Sequence, residues 1–102
     1  MQEKRSHYRK SVGYEVQFSV GDKPRVDGLC RDLSLGGLNV QTDRPAPFGT
    51  KITIHIQLHG IEDTRALPGT VRWVKDGAMG VQFGLLGARD TYAITEMLVR
   101  SE

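Results

Sequence analysis

The strongest constraint on this sequence is a strict alternation of apolar and polar residues between positions 52 and 59. The apolar set is Ile52, Ile54, Ile56 and Leu58, and the polar set is Thr53, His55, Gln57 and His59. Successive side chains of a β-strand point to opposite faces, whereas a helix repeats every 3.6 residues. The pattern therefore predicts a half-buried antiparallel strand.

Five further segments show the same period or are bounded by turn residues. A first strand begins at Gly13 and ends before the turn at 21–24, a second covers 25–32, and a third runs through Leu38, Val40 and Thr42. The last two, 67–74 and 78–83, flank Lys75-Asp76-Gly77, where Asp-Gly favours the positive φ angles of a tight hairpin. Segment 43–49 contains two prolines and is predicted to be a loop that crosses one end of a barrel. Six short strands with tight connections are typical of a barrel or a sandwich.

The end of the chain changes to helical spacing. Ile94, Met97 and Leu98 lie three and four residues apart, and Asp90 is placed to cap a helix. We predict one domain over residues 1–102, with an arm at 1–12, a barrel at 13–84 and a helix at 88–100. Trp73 is expected to pack in the barrel beside Val71; the alternative is that it borders a base at the barrel rim.

Composition excludes several classes of protein. Cys30 is the single cysteine, so the chain forms no internal disulfide, and no Cys and His cluster supplies metal ligands. His55 and His59 would chelate a metal on a helix but share the polar face of a strand. No nucleophile, base and acid fall in a catalytic pattern, and no glycine-rich phosphate loop is present, so we expect no enzyme. Without a long apolar segment or a signal-peptide start, we expect a cytoplasmic protein that does not insert into membranes.

Positive charge is concentrated at the start of the chain. The net charge is only +2, yet Lys4, Arg5, Arg9 and Lys10 face Glu3 alone in the first ten residues. Such an arm favours a local anionic partner; the alternative is a solvated tail. Arg5 and Arg9 are close enough to hold one bulky anion, and guanidinium binds phosphate with two prongs, reads guanine and stacks on bases.

A second motif, Asp32-Leu33-Ser34-Leu35-Gly36-Gly37, falls where the second strand ends. Asp32 and Ser34 are two apart and should share a face, while Arg31 should face the other way. The glycines would let the chain turn sharply and a ligand approach, and Asp32 could accept hydrogen bonds from guanine. The alternative is an ordinary Asx or Ser turn in which glycine supplies an unusual backbone angle.

Together the two motifs resemble the signature of the PilZ domain family, Arg-x-x-x-Arg followed by Asp/Asn-x-Ser-x-x-Gly. The matching residues are Arg5, Arg9, Asp32, Ser34 and Gly37, and segments 69–73 and 80–83 are similar to the family's late strands. The resemblance implies an all-β fold with one C-terminal helix, a six-stranded antiparallel β-barrel of PilZ type. It also implies a receptor for cyclic di-GMP, a second messenger of bacteria.

The resemblance further implies roles for these residues. Arg5 and Arg9 would contact guanine and phosphate, Asp32 and Ser34 would hold a base edge or a phosphate, and Gly37 would keep the surface open. Lys4 resembles a position that helps accommodate a second stacked nucleotide. No cofactor or metal is implied. We expect the arm to be flexible until the ligand orders it.

The expected partners are cyclic di-GMP and an effector protein or fused domain. One alternative is a PilZ-like interaction module that does not bind nucleotide. Another is a small barrel that binds RNA or single-stranded DNA. Such a barrel should carry several exposed aromatic residues along a basic groove, and only Tyr8 near the arm qualifies. We therefore expect no nucleic-acid polymer as a partner.

Overall fold

The structure, a computed structural model, describes residues 10–58 and 63–100. It contains β1 (Lys10–Ser19), β2 (Val26–Leu33), β3 (Gly37–Gln41), β4 (Lys51–Ile56), β5 (Arg65–Lys75), β6 (Ala78–Phe83) and α1 (Ala88–Arg100). The strands form a closed barrel in the order β1-β2-β3-β6-β5-β4, and every neighbouring pair is antiparallel. The predicted six-stranded barrel with one C-terminal helix is confirmed.

β1 begins at Lys10, three residues before the start that the alternation predicts. Pairing with β2 extends the strand, because Lys10 lies opposite Leu33 and Ser11 lies opposite Asp32. The register shifts between Ser11 and Tyr14, so these first residues do not follow the two-residue period. Pairing with a neighbour, rather than local pattern, sets where this strand starts.

The barrel interior is filled by the apolar residues of the alternating patterns. Ile52, Ile54 and Ile56 point inward from β4, and Leu58 is buried just beyond the end of that strand. The predicted loop over 43–49 contributes Ala46 to the same core, and Gly49 N donates to Val71 O at 2.7 Å. Burying such side chains stabilises the fold by about 25 cal/mol per Å² of apolar surface removed from water.

The β5–β6 hairpin forms where Asp-Gly predicts it. Lys75 lies opposite Ala78, so the turn has the two residues Asp76 and Gly77. Their φ angles are 48° and 76°. Two consecutive positive φ angles characterise the turn whose twist matches that of antiparallel strands. The local sequence therefore fixes the register of the hairpin at its tip.

The C-terminal helix is anchored to β5 by an ion pair. Thr91 N donates to Gly87 O at 3.0 Å, so the first turn starts at Gly87 and Asp90 lies inside it. The prediction that Asp90 caps the helix is wrong, because Arg65 Nε donates to Asp90 Oδ1 at 2.7 Å and Arg65 Nη2 donates to Oδ2 at 3.2 Å. The hydrogen bond to Asp90 raises the pKa of the Arg65 guanidinium. No helix of the described residues has the length and apolar character needed to cross a membrane.

Replacing Asp90 by alanine should lower the melting temperature by about 5 °C or more. The Asp90 side chain is only 10% exposed, so its loss removes both hydrogen bonds of a largely buried carboxylate and loosens α1. Thermal unfolding followed by circular dichroism measures the change. Asp43→Ala, at an exposed aspartate in the loop, is the control. Equal melting temperatures for the two variants would show that the pair does not anchor the helix.

Candidate ligand-binding site

The three motif residues Asp32, Ser34 and Gly37 line one cleft on the outside of the barrel. The cleft has a volume of about 310 Å³ and lies across β2, β3, β6 and β5. Its remaining lining residues are Gly36, Leu38, Asn39, Arg72, Trp73, Gly80, Val81 and Gln82. The expectation that Asp32 and Ser34 share a face holds in this respect, since both contribute to the same surface.

Ser34 shapes the turn between β2 and β3. Its backbone N–H donates to Gly37 O at 2.9 Å, and its hydroxyl oxygen accepts a hydrogen bond from Gly36 N at 3.2 Å. A serine turn is therefore present, as the structural alternative predicts. Neither Gly36 nor Gly37 has a positive φ, so the expectation that glycine supplies an unusual backbone angle is wrong.

Gly37 is required for a different reason, namely close approach between strands. A Cβ atom at this position would overlap the carbonyl oxygen of Val81 on β6. At Gly36, by contrast, the nearest neighbour of an added Cβ is Ser34 Oγ at 3.9 Å, which is an ordinary contact distance. Only the second glycine of the pair is needed to bring β3 against β6 and so to form one wall of the cleft.

A β-bulge places Trp73 on the outside of the barrel. Val71 lies opposite Val81, but Trp73 lies opposite Gly80, so Arg72 is an extra residue in β5. One extra residue reverses which face the following side chains occupy. Val71 is fully buried whereas Trp73 is 44% exposed. The prediction that Trp73 packs in the core beside Val71 is wrong, and its indole instead lines the cleft.

A second bulge affects β2 just before the motif. Cys30 lies opposite Val40 and Asp32 lies opposite Asn39, so Arg31 is an extra residue. The alternation used to separate Arg31 from Asp32 is therefore broken at this step. Arg31 is exposed and does not line the cleft, while Asp32 is half-buried within it.

Four cross-strand neighbours form a row along the floor of the cleft. Asp32 on β2 lies opposite Asn39 on β3, Asn39 lies opposite Gly80 on β6, and Gly80 lies opposite Trp73 on β5. Neighbours in such a row are about 5 Å apart, so the row spans about 15 Å. A Cβ on Gly80 would overlap the Trp73 indole, which shows that the ring leans from β5 across β6. The row therefore has a carboxylate at one end and a flat aromatic surface at the other.

Asn39 and Arg72 also line the cleft, although the sequence analysis did not name them; Trp73, for which a position bordering a base was only the alternative, lines it too. Asn39 falls in an ordinary alternating strand, and the two bulges leave no local pattern from which the outward position of Trp73 could be read. In the sequence, Gly80 is the one residue that could have indicated this surface, because glycine inside a strand often marks a place where another group approaches closely. Among the lining residues only Asp32 and Arg72 carry full charges, so the cleft itself is close to neutral.

The remaining reactive side chains lie elsewhere. Burial raises the pKa of the Cys30 thiol to about 11, so it stays protonated in the core. His55 shares a 2.9 Å hydrogen bond with Ser19, and burial together with the nearby Arg25 lowers the pKa of His55. His59 lies outside the described residues. Within 10–58 and 63–100, no group of three His, Cys, Asp or Glu residues is arranged to hold a metal ion.

A larger open depression, about 850 Å³, lies over β1 and β2. Its charged lining residues are Glu15, Arg25, Asp27, Asp43 and Asp76. Four carboxylates against one guanidinium disfavour an anionic ligand there. The smaller cleft, which carries the motif, is therefore the better candidate site for a nucleotide.

The predicted site residues Lys4, Arg5 and Arg9 lie outside the described residues. The first described residue, Lys10, lies opposite Leu33, which directly follows Asp32. β1 therefore starts at the end of the barrel where the motif turn lies.

Comparison with solved structures places this fold among known barrels. The PilZ domain of CeSA from a cellulose-synthesizing bacterium superposes with a TM-score of 0.71 at 21% identity, covering 89% of this chain and 94% of that one. The Bacillus subtilis inhibitor of motility, MotI/DgrA, gives a TM-score of 0.76 at 22% identity, covering 98% of this chain and 52% of that one. Escherichia coli YcgR in complex with cyclic di-GMP gives a TM-score of 0.73 at 15% identity, covering 95% of this chain and 45% of that one.

This chain thus spans about half the length of the last two proteins. A comparison with curated protein sequences finds no significant match. The PilZ domain model matches residues 3–99. The match includes both arginines of the arm and all three residues of the motif turn. The chain therefore belongs to the PilZ domain family.

Proposed function

We propose that this domain is a receptor for cyclic di-GMP that binds the nucleotide in the cleft formed by Asp32, Ser34, Gly37 and Trp73. The observation that carries the proposal is the convergence of the motif turn and an exposed indole on one surface of a PilZ barrel. The structure of the YcgR PilZ domain from Escherichia coli was determined with cyclic di-GMP, which supports the same ligand here.

Each part of the cleft offers a contact that a guanine nucleotide needs. The carboxylate of Asp32 accepts hydrogen bonds from the N–H groups of guanine, and the indole of Trp73 offers a flat surface for a base. Ser34 holds the turn by accepting a hydrogen bond from Gly36 N, and we propose that it also contacts a base edge or a phosphate. The glycine at position 80 keeps the floor low enough for the indole to lie across it.

The arm supplies the charge that the cleft lacks. Cyclic di-GMP carries two phosphates, whereas the cleft has one guanidinium and one carboxylate. The Cα atom of Arg9 is about 3.8 Å from that of Lys10, and that of Arg5 is at most about 18 Å from it. The intervening chain is therefore long enough for both arginines to contact the motif end of the barrel. We propose that they bind phosphate and guanine and that the ligand orders the arm.

The ordered arm then changes the surface offered to an effector protein or a fused domain. Under this proposal the domain performs no reaction and transmits a signal by its shape in the bacterial cytoplasm, where the ligand acts. Lys4, which precedes the arginine pair, would support a second stacked nucleotide. A stoichiometry of one ligand per protomer with Lys4 present would remove that role.

Calorimetric titration with cyclic di-GMP tests the proposal, with cyclic di-AMP as the control ligand. We expect saturable binding of the guanine nucleotide and at least tenfold weaker binding of the adenine one, since adenine lacks the N–H donors that Asp32 accepts. Absence of heat with a folded protein would favour the alternative, a PilZ interaction module that acts through protein contacts alone.

Trp73 provides a second, local measurement, because it is the only tryptophan in the chain. We expect saturable quenching of its fluorescence by cyclic di-GMP, and Trp73→Ala should weaken binding about 5- to 150-fold, as base stacking contributes about 1–3 kcal/mol. Phe48→Ala is the matched control, since Phe48 is 70% exposed in the loop and outside the cleft. Unchanged affinity in the Trp73 variant would place the base away from the indole.

A further inference from the structure

Asn39 carries a buried acceptor that the fold does not use. Its neighbours Leu38 and Val40 point into the core, which turns the Asn39 side chain outward to the cleft. The Oδ1 atom is nevertheless shielded from solvent and has no hydrogen-bond partner among the residues that the structure describes. A buried acceptor without a donor destabilises a fold, and native structures keep few of them.

The position of Asn39 indicates what the missing donor is. Asn39 lies directly opposite Asp32 on one side and Gly80 on the other, in the middle of the cleft floor. Glycine at position 80 places no side chain there, and the Trp73 indole lies over it. A base stacked on that indole would therefore bring its edge toward Asn39 and Asp32 together.

We infer that Asn39 Oδ1 accepts a hydrogen bond from the exocyclic N2 amine of guanine and so makes the site selective for that base. The inference rests on the proposed function of the cleft. Guanine carries two hydrogens on N2 and one on N1. A single carboxylate in the plane of the base can accept hydrogen bonds from only two of these three hydrogens. Asp32 takes the N1 side and Asn39 takes the remaining N2 hydrogen. Adenine carries no amine at position 2.

Cyclic di-inosine monophosphate isolates this contact, because its hypoxanthine bases keep O6, N7 and N1–H but lack the N2 amine. The dissociation constants of cyclic di-GMP and cyclic di-inosine monophosphate are measured by calorimetry for the wild type, Asn39→Ala and Gln41→Ala. Gln41 is the matched control, since it carries the same amide group two residues along β3 and lies outside the cleft.

We expect Asn39→Ala to weaken cyclic di-GMP binding about 5- to 100-fold while changing binding of the inosine analogue less than about twofold. Gln41→Ala should preserve the preference for guanine. Asn39→Ala should also melt no lower than the wild type, because it removes an acceptor without a donor. This combination separates recognition of the ligand from a structural role.

Two results would overturn the assignment. Equal loss for both ligands in Asn39→Ala would place the Oδ1 contact on N1–H, a donor that the two bases share, and unchanged affinity for both ligands would exclude the residue from recognition. A wild type that binds neither nucleotide would remove the proposed function and this inference with it. If the wild type binds cyclic di-GMP and Asn39→Ala binds it equally well, the inference about Asn39 is wrong and the proposed function stands.

Discussion

Replacing Arg5 and Arg9 together by alanine should weaken binding of cyclic di-GMP by about 30-fold to about 10⁴-fold. A two-pronged arginine contact contributes about 1–3 kcal/mol, and about 1.4 kcal/mol corresponds to a factor of ten in affinity. The cleft that carries the motif turn contains one guanidinium and one carboxylate, so it does not neutralise two phosphates by itself. The proposed function therefore assigns the missing positive charge to Arg5 and Arg9.

The same double variant should melt within about 3 °C of the wild type, since arginine side chains seldom belong to a hydrophobic core. Among the residues that the structure describes, the hydrophobic core begins at Val16, and Tyr14 packs against it. Arg44→Ala combined with Arg89→Ala is the charge-matched control, because both residues are exposed and neither lines the cleft. An equal loss in this control would attribute the effect to net charge rather than to two specific contacts.

The salt dependence of cyclic di-GMP binding further tests the proposed role of Arg5 and Arg9. Contacts between guanidinium and phosphate weaken as ionic strength rises, because screening reduces the attraction between exposed charges. The wild type should therefore lose affinity between low and high salt more steeply than the arginine double variant. Equal slopes would indicate that other cations, such as Arg72, neutralise the phosphates.

The strands could be predicted from the sequence because each one buries a single face. The alternation through Ile52 and Ile54 reports burial directly, and the turn at Asp76-Gly77 follows from the backbone freedom of those two residues. The family resemblance, carried by the motif residues, extended these local patterns to a closed barrel. Pairing, which extends β1 back to Lys10, depends on a partner strand that is distant in sequence.

The site was harder to predict because two bulges build it. A bulge is a property of two paired strands, and neither Arg31 nor Arg72 differs locally from an ordinary strand residue. Each bulge reverses the face that the following residues occupy. The same alternation that correctly predicts the core residues therefore places Trp73 in the core, whereas the structure places it on the outside. The residues of the floor, Asn39 and Gly80, become neighbours only through this register.

The motif glycines show how the structural reason for a glycine can be predicted incorrectly. A Gly-Gly pair in a turn commonly indicates positive φ, yet the positive-φ glycines among the described residues are Gly21, Gly49 and Gly77. Gly37 is needed because β3 and β6 approach closely, which no property of the turn sequence reveals. The difference matters because it predicts unequal effects for two adjacent and chemically identical residues.

Gly37→Ala should lower the free energy of unfolding by about 2–3 kcal/mol, whereas Gly36→Ala should change it by less than about 0.5 kcal/mol. The added methyl group at position 37 overlaps the Val81 carbonyl oxygen, a backbone atom that moves only if β3 and β6 separate. At position 36 the nearest atom is Ser34 Oγ at 3.9 Å, and the methyl group fits. Chemical denaturation of the two variants measures the difference.

The affinity for cyclic di-GMP should also fall more in Gly37→Ala than in Gly36→Ala. Separation of β3 from β6 moves Asn39 away from Gly80 and breaks the row that ends at Trp73, so Gly37→Ala should weaken cyclic di-GMP binding about tenfold or more even at temperatures where it is folded. Gly36→Ala keeps the row and should bind within about threefold of the wild type. If the two variants bound and unfolded alike, the requirement for Gly37 would lie in the flexibility of the turn and not in the contact between strands. Comparison of the two variants therefore decides why Gly37 is required. The reason is either the backbone flexibility of the turn or the close contact between β3 and β6 that forms one wall of the cleft.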